Sequence, residues 1–332
     1  MVREWDPADA PNTEIEAVVA SLNELLASDL PEDPRWRTAG MRQYLIETMP
    51  GERQACWLVD GADGEPPAVG YAKLLLLGDI GVVEVMVHPA SRQQGVGRAL
   101  LAAAARRAYQ AGLASLGVEV AGATPAVKFW ESLGFRCAYV EMRSILDLAS
   151  VDRAALGGMA DALPDGYRVE YHPGGLPKSL LEPYAAAKAS RQEAGELDLR
   201  PSSYDAQRLA DSLDTLNRRG MKPYLVLAIH ESSGEVAALT ELVVPTQHPT
   251  RADQYDTIVV PEHQGVGLER AIKARMLVEI GDVETQLTEV QTWNALENNP
   301  MADVNAELGF RPDREWREYE ADVLDLIRQL GH

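Results

Sequence analysis

The stretch from Val82 to Arg98, VVEVMVHPASRQQGVGR, decides the fold of the chain. Its valines, at positions 83, 85 and 87, alternate with other side chains, a period of two that predicts a half-buried strand. Pro89 ends this strand, because proline has no backbone N–H to donate. A loop with two glycines follows, Arg92 to Gly97, and then an alanine-rich segment that predicts a helix to Gln110. The stretch therefore predicts a strand, a loop and a helix in direct succession.

The loop has the pattern R-x-x-G-x-G and suits a phosphate group. Small residues let backbone N–H groups come close to an anion, and a helix N-terminus adds about half a positive charge. The Arg92 side chain can add a charged hydrogen bond. We therefore expect the loop to bind a phosphate-bearing ligand.

The elements around this stretch occur twice. Each half has a strand, two helices, a hairpin, a central strand, a glycine loop with its helix, another strand, a short helix and a last strand. Pro89 corresponds to Pro261, and Gly134-Phe135 corresponds to Gly309-Phe310, about 170 residues later. The chain is therefore expected to contain two copies of one fold.

Two further motifs accompany the loop. They are A-x-x-F-W-x-x-x-G-F from Ala126 to Phe135 and T-x-N-A-x-x-N-N-x-M-x-x-V-N-x-x-L-G-F from Thr292 to Phe310. With the loop, they resemble the GCN5-related N-acetyltransferase (GNAT) family, in the two-domain bacterial type similar in architecture to the mycothiol synthases. The resemblance implies an α/β fold: two tandem GNAT folds, each with a mostly antiparallel mixed sheet, splayed between its fourth and fifth strands and flanked by helices. We expect an N-terminal domain at 1–149, a linker at 150–166 and a C-terminal domain at 167–332.

The resemblance also implies acetyl-CoA, or another acyl-CoA, as the co-substrate. No cluster of cysteines and histidines has the sequence spacing of metal ligands, so we expect no metal. The family binds its co-substrate through the backbone of the central strand and through the loop. The residues that occupy these positions here are Val85, Met86, Val87, Arg92, Gln93, Gln94, Gly95, Val96, Gly97 and Arg98.

Two carboxylates on the central strands are candidate general bases. GNAT enzymes use a glutamate on this strand to take the proton of the amine, and Glu84 occupies that position. Its alternative role is structural, as the ion-pair partner of a neighbouring lysine or arginine. Asp256 is its counterpart in the second half and the alternative base. Candidate substrate contacts, which could equally be packing residues, are Trp36, Tyr44, Trp293, Asn294 and Asn298.

Neither half has the tyrosine that the family uses as the acid for the leaving thiolate. Trp130 occupies that position in the first half and Asn305 in the second. The indole N–H and the amide are not acids at neutral pH. A thiol has a pKa of about 8.5, so the thiolate can leave without a dedicated acid.

The second loop can be aligned in two ways. Matching the letters QGVG places Glu262 at the position of Arg92. Matching the proline at the strand end places Glu269 at the position of Gly97, and we prefer this alignment because it keeps strand and helix in step. In both, a carboxylate stands beside the expected phosphate, so we expect the second half to bind acyl-CoA poorly.

The amino-acid composition limits the classes of molecule that we expect the protein to bind. With 51 acidic and 31 basic residues, the formal charge is −20, which disfavours nucleic acid and anionic membranes and favours a cationic acceptor. The first residues lack the apolar core of a secretory signal, so we expect a cytoplasmic protein. Cys56 and Cys137 are expected to be free core thiols. The protein is expected to be either a monomer, whose two tandem halves mimic a dimer, or a homodimer.

The leading hypothesis is an acetyl-CoA-dependent N-acyltransferase that acts on a small amine by direct transfer, with the first half binding the cofactor and Glu84 as the base. In the alternative, the second half catalyses while the first holds CoA idle. A third hypothesis is a non-catalytic module that binds or senses CoA.

Overall fold

The computed structural model describes residues 1–190, 205–296 and 301–331. Its strands are β1 (Val2–Trp5), β2 (Arg53–Asp60), β3 (Ala68–Leu77), β4 (Ile80–Val87), β5 (Ser115–Ala121), β6 (Arg136–Asp147), β7 (Tyr167–Pro173), β8 (Met221–His230), β9 (Val236–Pro245), β10 (Arg251–Val259), β11 (Glu289–Ala295) and β12 (Arg311–Asp322). Its helices are α1 (Asn12–Asp29), α2 (Thr38–Ile46), α3 (Val96–Gln110), α4 (Pro125–Ser132), α5 (Arg153–Asp161), α6 (Lys178–Ala189), α7 (Ala206–Arg218), α8 (Leu268–Val283), α9 (Ala302–Glu307) and α10 (Val323–Leu330). The chain forms two compact units.

Unit 1 contains residues 1–140 and 315–331. Its strands lie in the order β1-β2-β3-β4-β5-β12, and only β4 and β5 run parallel. The buried alanine and leucine face of α3 covers one side of this sheet together with α4 and α10. Helices α1 and α2 cover the other side with apolar residues such as Ile15 and Leu45. Unit 1 is thus a three-layer α/β structure, as the sequence predicts.

Unit 2 contains the described residues of 141–314. Its strands lie in the order β6-β11-β10-β9-β8-β7, with β10 and β11 as the parallel pair. Residues of α8 and α5 line the core on one side of the sheet, and residues of α6 and α7 line it on the other. Each unit therefore has the mixed sheet and the flanking helices expected from the repeat.

The last strands depart from the expected domain limits, because each unit takes the last strand of the other repeat. Residues 141–147 of β6 pair with β11, and residues 316–322 of β12 pair with β5. Leu146 is buried in the core of unit 2, and Tyr319 is buried in the core of unit 1. The expected linker also belongs to unit 2, because α5 buries Leu156 and Ala160 there. The units thus divide near residues 140 and 314 rather than at 149 and 167.

This exchange predicts that the first repeat is unstable alone. We expect a fragment of residues 1–149 to unfold at a markedly lower temperature than the full chain, because β5 lacks its neighbour and the core lacks Tyr319, Val323 and Leu326. A peptide of residues 311–331 should raise its melting temperature, measured by circular dichroism. The same peptide with Tyr319→Asp is the control and should not. A fragment that is fully stable without the peptide would show that β6 can take the place of β12.

The two cysteines differ in their surroundings. Cys56 is buried, and this burial raises the pKa of its thiol to about 12. Cys137 is exposed, so its expected place in the core is wrong. It lies in β6 near the start of that strand, where the side chain faces solvent rather than a core.

Candidate active site

The first glycine loop connects β4 to α3 through a tight turn at Pro89–Ser91. Gly95, with φ of 83°, stands immediately before α3 in a left-handed conformation that favours glycine. Gly97 is needed for a different reason, since a Cβ atom there would lie 3.1 Å from the ring of Phe129. As a glycine, Gly95 has no side chain with which to cap the N-terminus of α3. The first N–H groups of α3 therefore suit an anion.

Both arginines predicted to bind the cofactor have partners within the protein. Arg92 makes a two-pronged ion pair with Asp29 at the end of α1, at 2.7 and 3.0 Å. Arg98 donates to the carbonyl oxygen of Gln329 at 2.6 Å. Arg92 thus holds the loop against α1, and a phosphate would depend on the backbone N–H groups unless this ion pair opens.

Strand β4 separates from β5 in the middle of the sheet. The parallel pairing runs from Ile80 to Val82 and stops there, whereas the pairing with β3 continues to Val87. Val85, Met86 and Val87, predicted as backbone ligands, lie in this splayed part. Beyond Val82, backbone groups directed towards β5 are therefore available to an acyl carbonyl.

Glu84 is the centre of a polar cluster on the face of the sheet covered by α1 and α2. Its carboxylate accepts hydrogen bonds from the hydroxyl groups of Tyr44 and Tyr71. Lys73, its cross-strand neighbour, is fully buried, with Nζ 3.7 Å from the carboxylate. Burial, reinforced by Glu84, raises the pKa of Tyr71 well above its ordinary value, so its hydroxyl stays a donor.

The Glu84 cluster combines both roles considered for this residue. Glu84 has the structural ion pair with Lys73, yet 36% of its side chain is exposed, so an amine can reach the carboxylate. Lys73 Nζ also lies 3.7 Å from the centre of the Tyr44 ring. Trp36 stands 5.4 Å from that ring and is half-buried. Trp36 and Tyr44, the two predicted substrate contacts of the first half, therefore lie together beside Glu84.

The second loop adopts the proline-matched alignment. A turn at Pro261–His263 corresponds to the turn at Pro89–Ser91, and the residue after each has nearly the same backbone angles. Gly267 stands immediately before α8 in a left-handed conformation, as Gly95 does before α3. Glu269 is consequently the counterpart of Gly97. The structure confirms the alignment that we preferred.

An open groove of about 400 Å³ lies at this second loop. Two carboxylates line it, Glu269 and Glu307, and one guanidinium group, that of Arg270. Arg270 forms an ion pair with Glu307 at 3.2 Å. The charged side chains of the groove therefore sum to −1, which disfavours a pyrophosphate.

Unit 2 has its own charged cluster around Lys188. Its ammonium lies 2.9 Å from Glu241 and 2.6 Å from Asp256, and Tyr184 donates to Glu241. Burial by itself would lower the pKa of Lys188, but the two carboxylates outweigh burial and hold this pKa above its ordinary value. Asp256 lies in a bulge of β10, where the pairing with β9 shifts between Gln254 and Thr257. The alternative base is thus held by a buried lysine.

A second buried lysine of unit 2 is linked through Asn305 to a predicted substrate residue, Asn294. Lys273 donates to Oδ1 of Asn305 at 2.7 Å, and Asn305 donates to Oδ1 of Asn294 at 2.7 Å. Trp293 lies next to Asn294 on β11 and is half-buried. Asn298 lies outside the described residues. Asn305, at the position of the family tyrosine, therefore bridges a lysine and a candidate substrate contact.

Lys273 makes a pH dependence of stability testable. Burial lowers its pKa to about 7, against about 10.4 in an unfolded chain. Between these values the unfolded chain binds a proton that the folded chain does not, so the free energy of unfolding should rise by up to about 1.4 kcal/mol per pH unit. Lys273→Met should remove this rise and be the more stable form below pH 7. Urea unfolding from pH 6 to 10 measures it.

The control for this prediction is Lys178→Met, which replaces an exposed lysine of α6 in the same unit. It should keep the pH dependence of the wild type. Equal slopes for Lys273→Met and the wild type would mean that Lys273 is charged in the folded chain.

The sequence interpretation missed several members of these clusters, namely Tyr71, Lys73, Tyr184, Lys188 and Glu241. A signal was present for Lys73 and Glu241, because each is a single charge within an apolar run. Lys73 interrupts AVGYAKLLLL, and Glu241 interrupts VAALTELVVP. A charge at such a place is rarely buried without a partner.

Comparison with known proteins is consistent with this geometry. Residues 19–135 match the model of the acetyltransferase (GNAT) family. A mycothiol acetyltransferase of Actinosynnema mirum is 28% identical over 280 residues, 80% of this chain and 83% of that protein. One of Rothia mucilaginosa is 26% identical over 251 residues, 70% and 68% of the two chains.

Among solved structures, a tandem GNAT protein from the clavulanic acid biosynthesis pathway has the same fold. It has a TM-score of 0.83 and 24% identity, and the match covers 97% of this chain and 98% of that one. A GCN5-related N-acetyltransferase from Sphaerobacter thermophilus has a TM-score of 0.68 and 14% identity, over 97% and 95%.

The repeated fold, the splayed central strands and the glycine loops define a tandem acyltransferase fold. The GNAT family model matches residues 19–135, and the chain as a whole is similar in architecture to mycothiol synthase and to tandem GNAT proteins; these likenesses identify an N-acetyltransferase. Within the described residues, none of the helices combines the length and the apolar character needed to cross a membrane.

Proposed function

We propose that the protein transfers an acetyl group from acetyl-CoA to a small amine, and that unit 1 performs the reaction. One observation carries the proposal: a single strand, β4, combines the splay with an accessible carboxylate. Backbone groups beyond Val82 face the gap towards β5, and Glu84 stands two residues further on. An acyl carbonyl and its amine acceptor can therefore be held by neighbouring residues of one rigid element.

In the proposed reaction, the amine attacks the thioester carbonyl directly. The C–N bond forms and the C–S bond breaks, without an intermediate attached to the protein. The backbone of the splayed part of β4 polarises the carbonyl, and the loop with the N-terminus of α3 holds the pyrophosphate. Glu84 accepts a proton from the ammonium form of the acceptor, directly or through water, and the neutral amine that results attacks the carbonyl. Tyr44 and Tyr71 hold its carboxylate in place.

The leaving group needs no tyrosine. Trp130 stands at the family position but is buried between Phe129 and Phe135, with ring centres at 5.1 and 4.8 Å. It acts as a packing residue. The thiolate leaves as an anion and takes a proton from water, which its pKa of about 8.5 allows. Acetyl as the acyl group is supported by the names of the two mycothiol acetyltransferases.

The acceptor class can be found by measuring thiol release from acetyl-CoA over a panel of amines. The panel should include polyamines, aminoglycosides, amino acids and amino sugars, with the matching alcohols as controls. We expect turnover with a small cationic amine, because the formal charge of −20 raises the local concentration of cations. Tight binding of acetyl-CoA with no turnover on any amine would favour a CoA-sensing module instead.

A second candidate places catalysis in unit 2, while unit 1 holds CoA idle. The Lys188 cluster favours it, because Asp256 lies on a bulged central strand at the position that corresponds to Glu84. Glu269 opposes it, since a carboxylate in the second loop repels the pyrophosphate. The kcat values of the variants Glu84→Gln and Asp256→Asn separate the two candidates. A large loss in Glu84→Gln alone favours unit 1, and a large loss in Asp256→Asn alone favours unit 2.

A further inference from the structure

A cluster of two histidines and a glutamate lies in unit 2, and none of the three is among the residues assigned to acyl transfer. His230 ends β8, Glu235 precedes β9, and His263 ends the turn before the second loop. One potential ligand atom of each lies within 4.8 Å of the others. Two of the six histidines of the chain are thus brought together from positions 33 apart in the sequence, which is why the sequence spacing indicated no metal.

Both histidines are already oriented by a hydroxyl group. Tyr167 OH lies 2.8 Å from Nδ1 of His263, and Ser233 Oγ lies 3.0 Å from Nδ1 of His230. When Nδ1 carries the proton and donates it to such an oxygen, the lone pair of the neutral imidazole is on Nε2. Histidines that bind metals commonly have this second partner, which fixes the ring and the tautomer.

We infer that His230, Glu235 and His263 bind one divalent transition-metal ion of the Zn²⁺ class, with a fourth position open to water. Two imidazoles and a carboxylate are a known ligand set for tetrahedral zinc. Ligand atoms at about 2.0–2.1 Å from a tetrahedral ion stand about 3.4 Å apart. Ligand atoms that lie up to 4.8 Å apart must therefore approach one another by up to about 1.4 Å, which the exposed Glu235 side chain allows.

The choice of ion follows from the ligands. Imidazole nitrogen suits Zn²⁺, Co²⁺ and Ni²⁺, whereas Mg²⁺ and Ca²⁺ require oxygen ligands. The acidic character of the chain also raises the local concentration of cations. The metal site does not depend on acetyl transfer, so a result that contradicts the proposed function would not contradict metal binding.

A bound ion would connect two parts of unit 2. His263 precedes the loop Gln264–Gly267, and His230 and Glu235 flank the β8–β9 turn. The ion would hold the loop against this turn and make the segment that precedes α8 more rigid. We therefore expect the metal to stabilise unit 2 rather than to take part in chemistry.

The experiment uses the full chain after treatment with a chelator. Calorimetric titration with ZnCl₂ should give one strong site per chain, and CoCl₂ should give the visible absorption of tetrahedral Co²⁺. Either His230→Ala or His263→Ala should weaken the Zn²⁺ site by at least about 100-fold, because it removes a ligand. His172→Ala is the matched control, since this half-buried histidine of unit 2 bonds Glu170 instead and should leave the site unchanged. MgCl₂ should not bind at the site.

Two further variants separate ligand loss from misfolding. Glu235→Gln changes an exposed side chain, and Tyr167→Phe removes only the hydroxyl that orients His263. Glu235→Gln should weaken Zn²⁺ binding by at least about 100-fold, as the loss of either histidine does, and Tyr167→Phe by about 10- to 100-fold, while the circular dichroism spectrum stays that of the wild type. Absence of a strong site in the wild type, or equal Zn²⁺ affinity in the wild type and Glu235→Gln with no change in His263→Ala, would overturn the inference.

Discussion

Replacing Gly97 with glutamate is expected to weaken binding of acetyl-CoA to the full chain by at least about 100-fold, which corresponds to about 2.7 kcal/mol. Two effects act together. The new Cβ would lie 3.1 Å from the Phe129 ring, so α4 or the loop must shift. The carboxylate would then stand beside a pyrophosphate, where two like charges about 4 Å apart repel by up to about 4 kcal/mol near a protein surface. Calorimetry with acetyl-CoA gives both the affinity and the number of sites.

The variant Gly97→Ala separates these two effects, because it brings the close contact without the charge. We expect it to weaken binding much less than Gly97→Glu. The reciprocal change is Glu269→Gly, which gives the second loop the residue of the first. It should leave the affinity of unit 1 unchanged and strengthen any binding at the groove of unit 2. Unchanged binding in Gly97→Glu, with lost binding on a change at Glu269, would assign the cofactor to unit 2.

The loop could be predicted because local sequence determines it, whereas the splay was expected only from the family resemblance. Proline ends each central strand, and a left-handed glycine stands before each helix, at Gly95 and Gly267. These constraints act over fewer than ten residues. The role of Arg92 could not be predicted in this way, because its partner Asp29 is 63 residues away. A basic residue beside a glycine loop has the same pattern whether it binds a phosphate or a carboxylate of its own chain.

The exchange of the last strands was also beyond the sequence pattern. β6 and β12 close corresponding edges of two similar sheets, and both alternate apolar with polar residues. Either strand could therefore pair with either β5 or β11. The outcome depends on how well particular side chains fill a core, such as Leu146 in unit 2 and Tyr319 in unit 1. The alternation of apolar and polar residues along a strand does not indicate such differences in packing.

The clusters around Glu84 and Lys188 show a similar limit. The alternation of the strand puts Glu84 on the face opposite Val83, Val85 and Val87, but it does not indicate which elements cover that face. Its tyrosine and lysine partners come from α2 and β3, so only the pairing of the strands and helices brings them together. In unit 2, the lysine comes from α6 instead and joins two carboxylates. The two repeats thus neutralise a buried charge with partners from different elements, and the repeat pattern alone does not indicate this difference.

Replacing Glu84 with glutamine is expected to lower kcat by about 10²- to 10⁴-fold, the usual contribution of a general base. Glutamine keeps the size and one carbonyl oxygen, which can still accept from Tyr44 or Tyr71, but it cannot take a proton. The affinity for acetyl-CoA should stay that of the wild type, because Glu84 does not belong to the loop. Lys73, buried beside it, loses the partner of its ion pair, so the melting temperature of the variant must be measured as well.

Asp256→Asn is the matched control for this prediction. It makes the same chemical change at the corresponding place in unit 2, where the carboxylate pairs with buried Lys188. We expect kcat to stay within about threefold of the wild type, which is far less than the roughly 10²- to 10⁴-fold loss expected when a general base is removed. Steady-state kinetics with the best amine of the panel measures both variants. A large loss of kcat in Asp256→Asn with full activity in Glu84→Gln would place the reaction in unit 2. A loss in Glu84→Gln that a higher pH restores would support the role of Glu84 as the base, because the amine then enters the site already neutral.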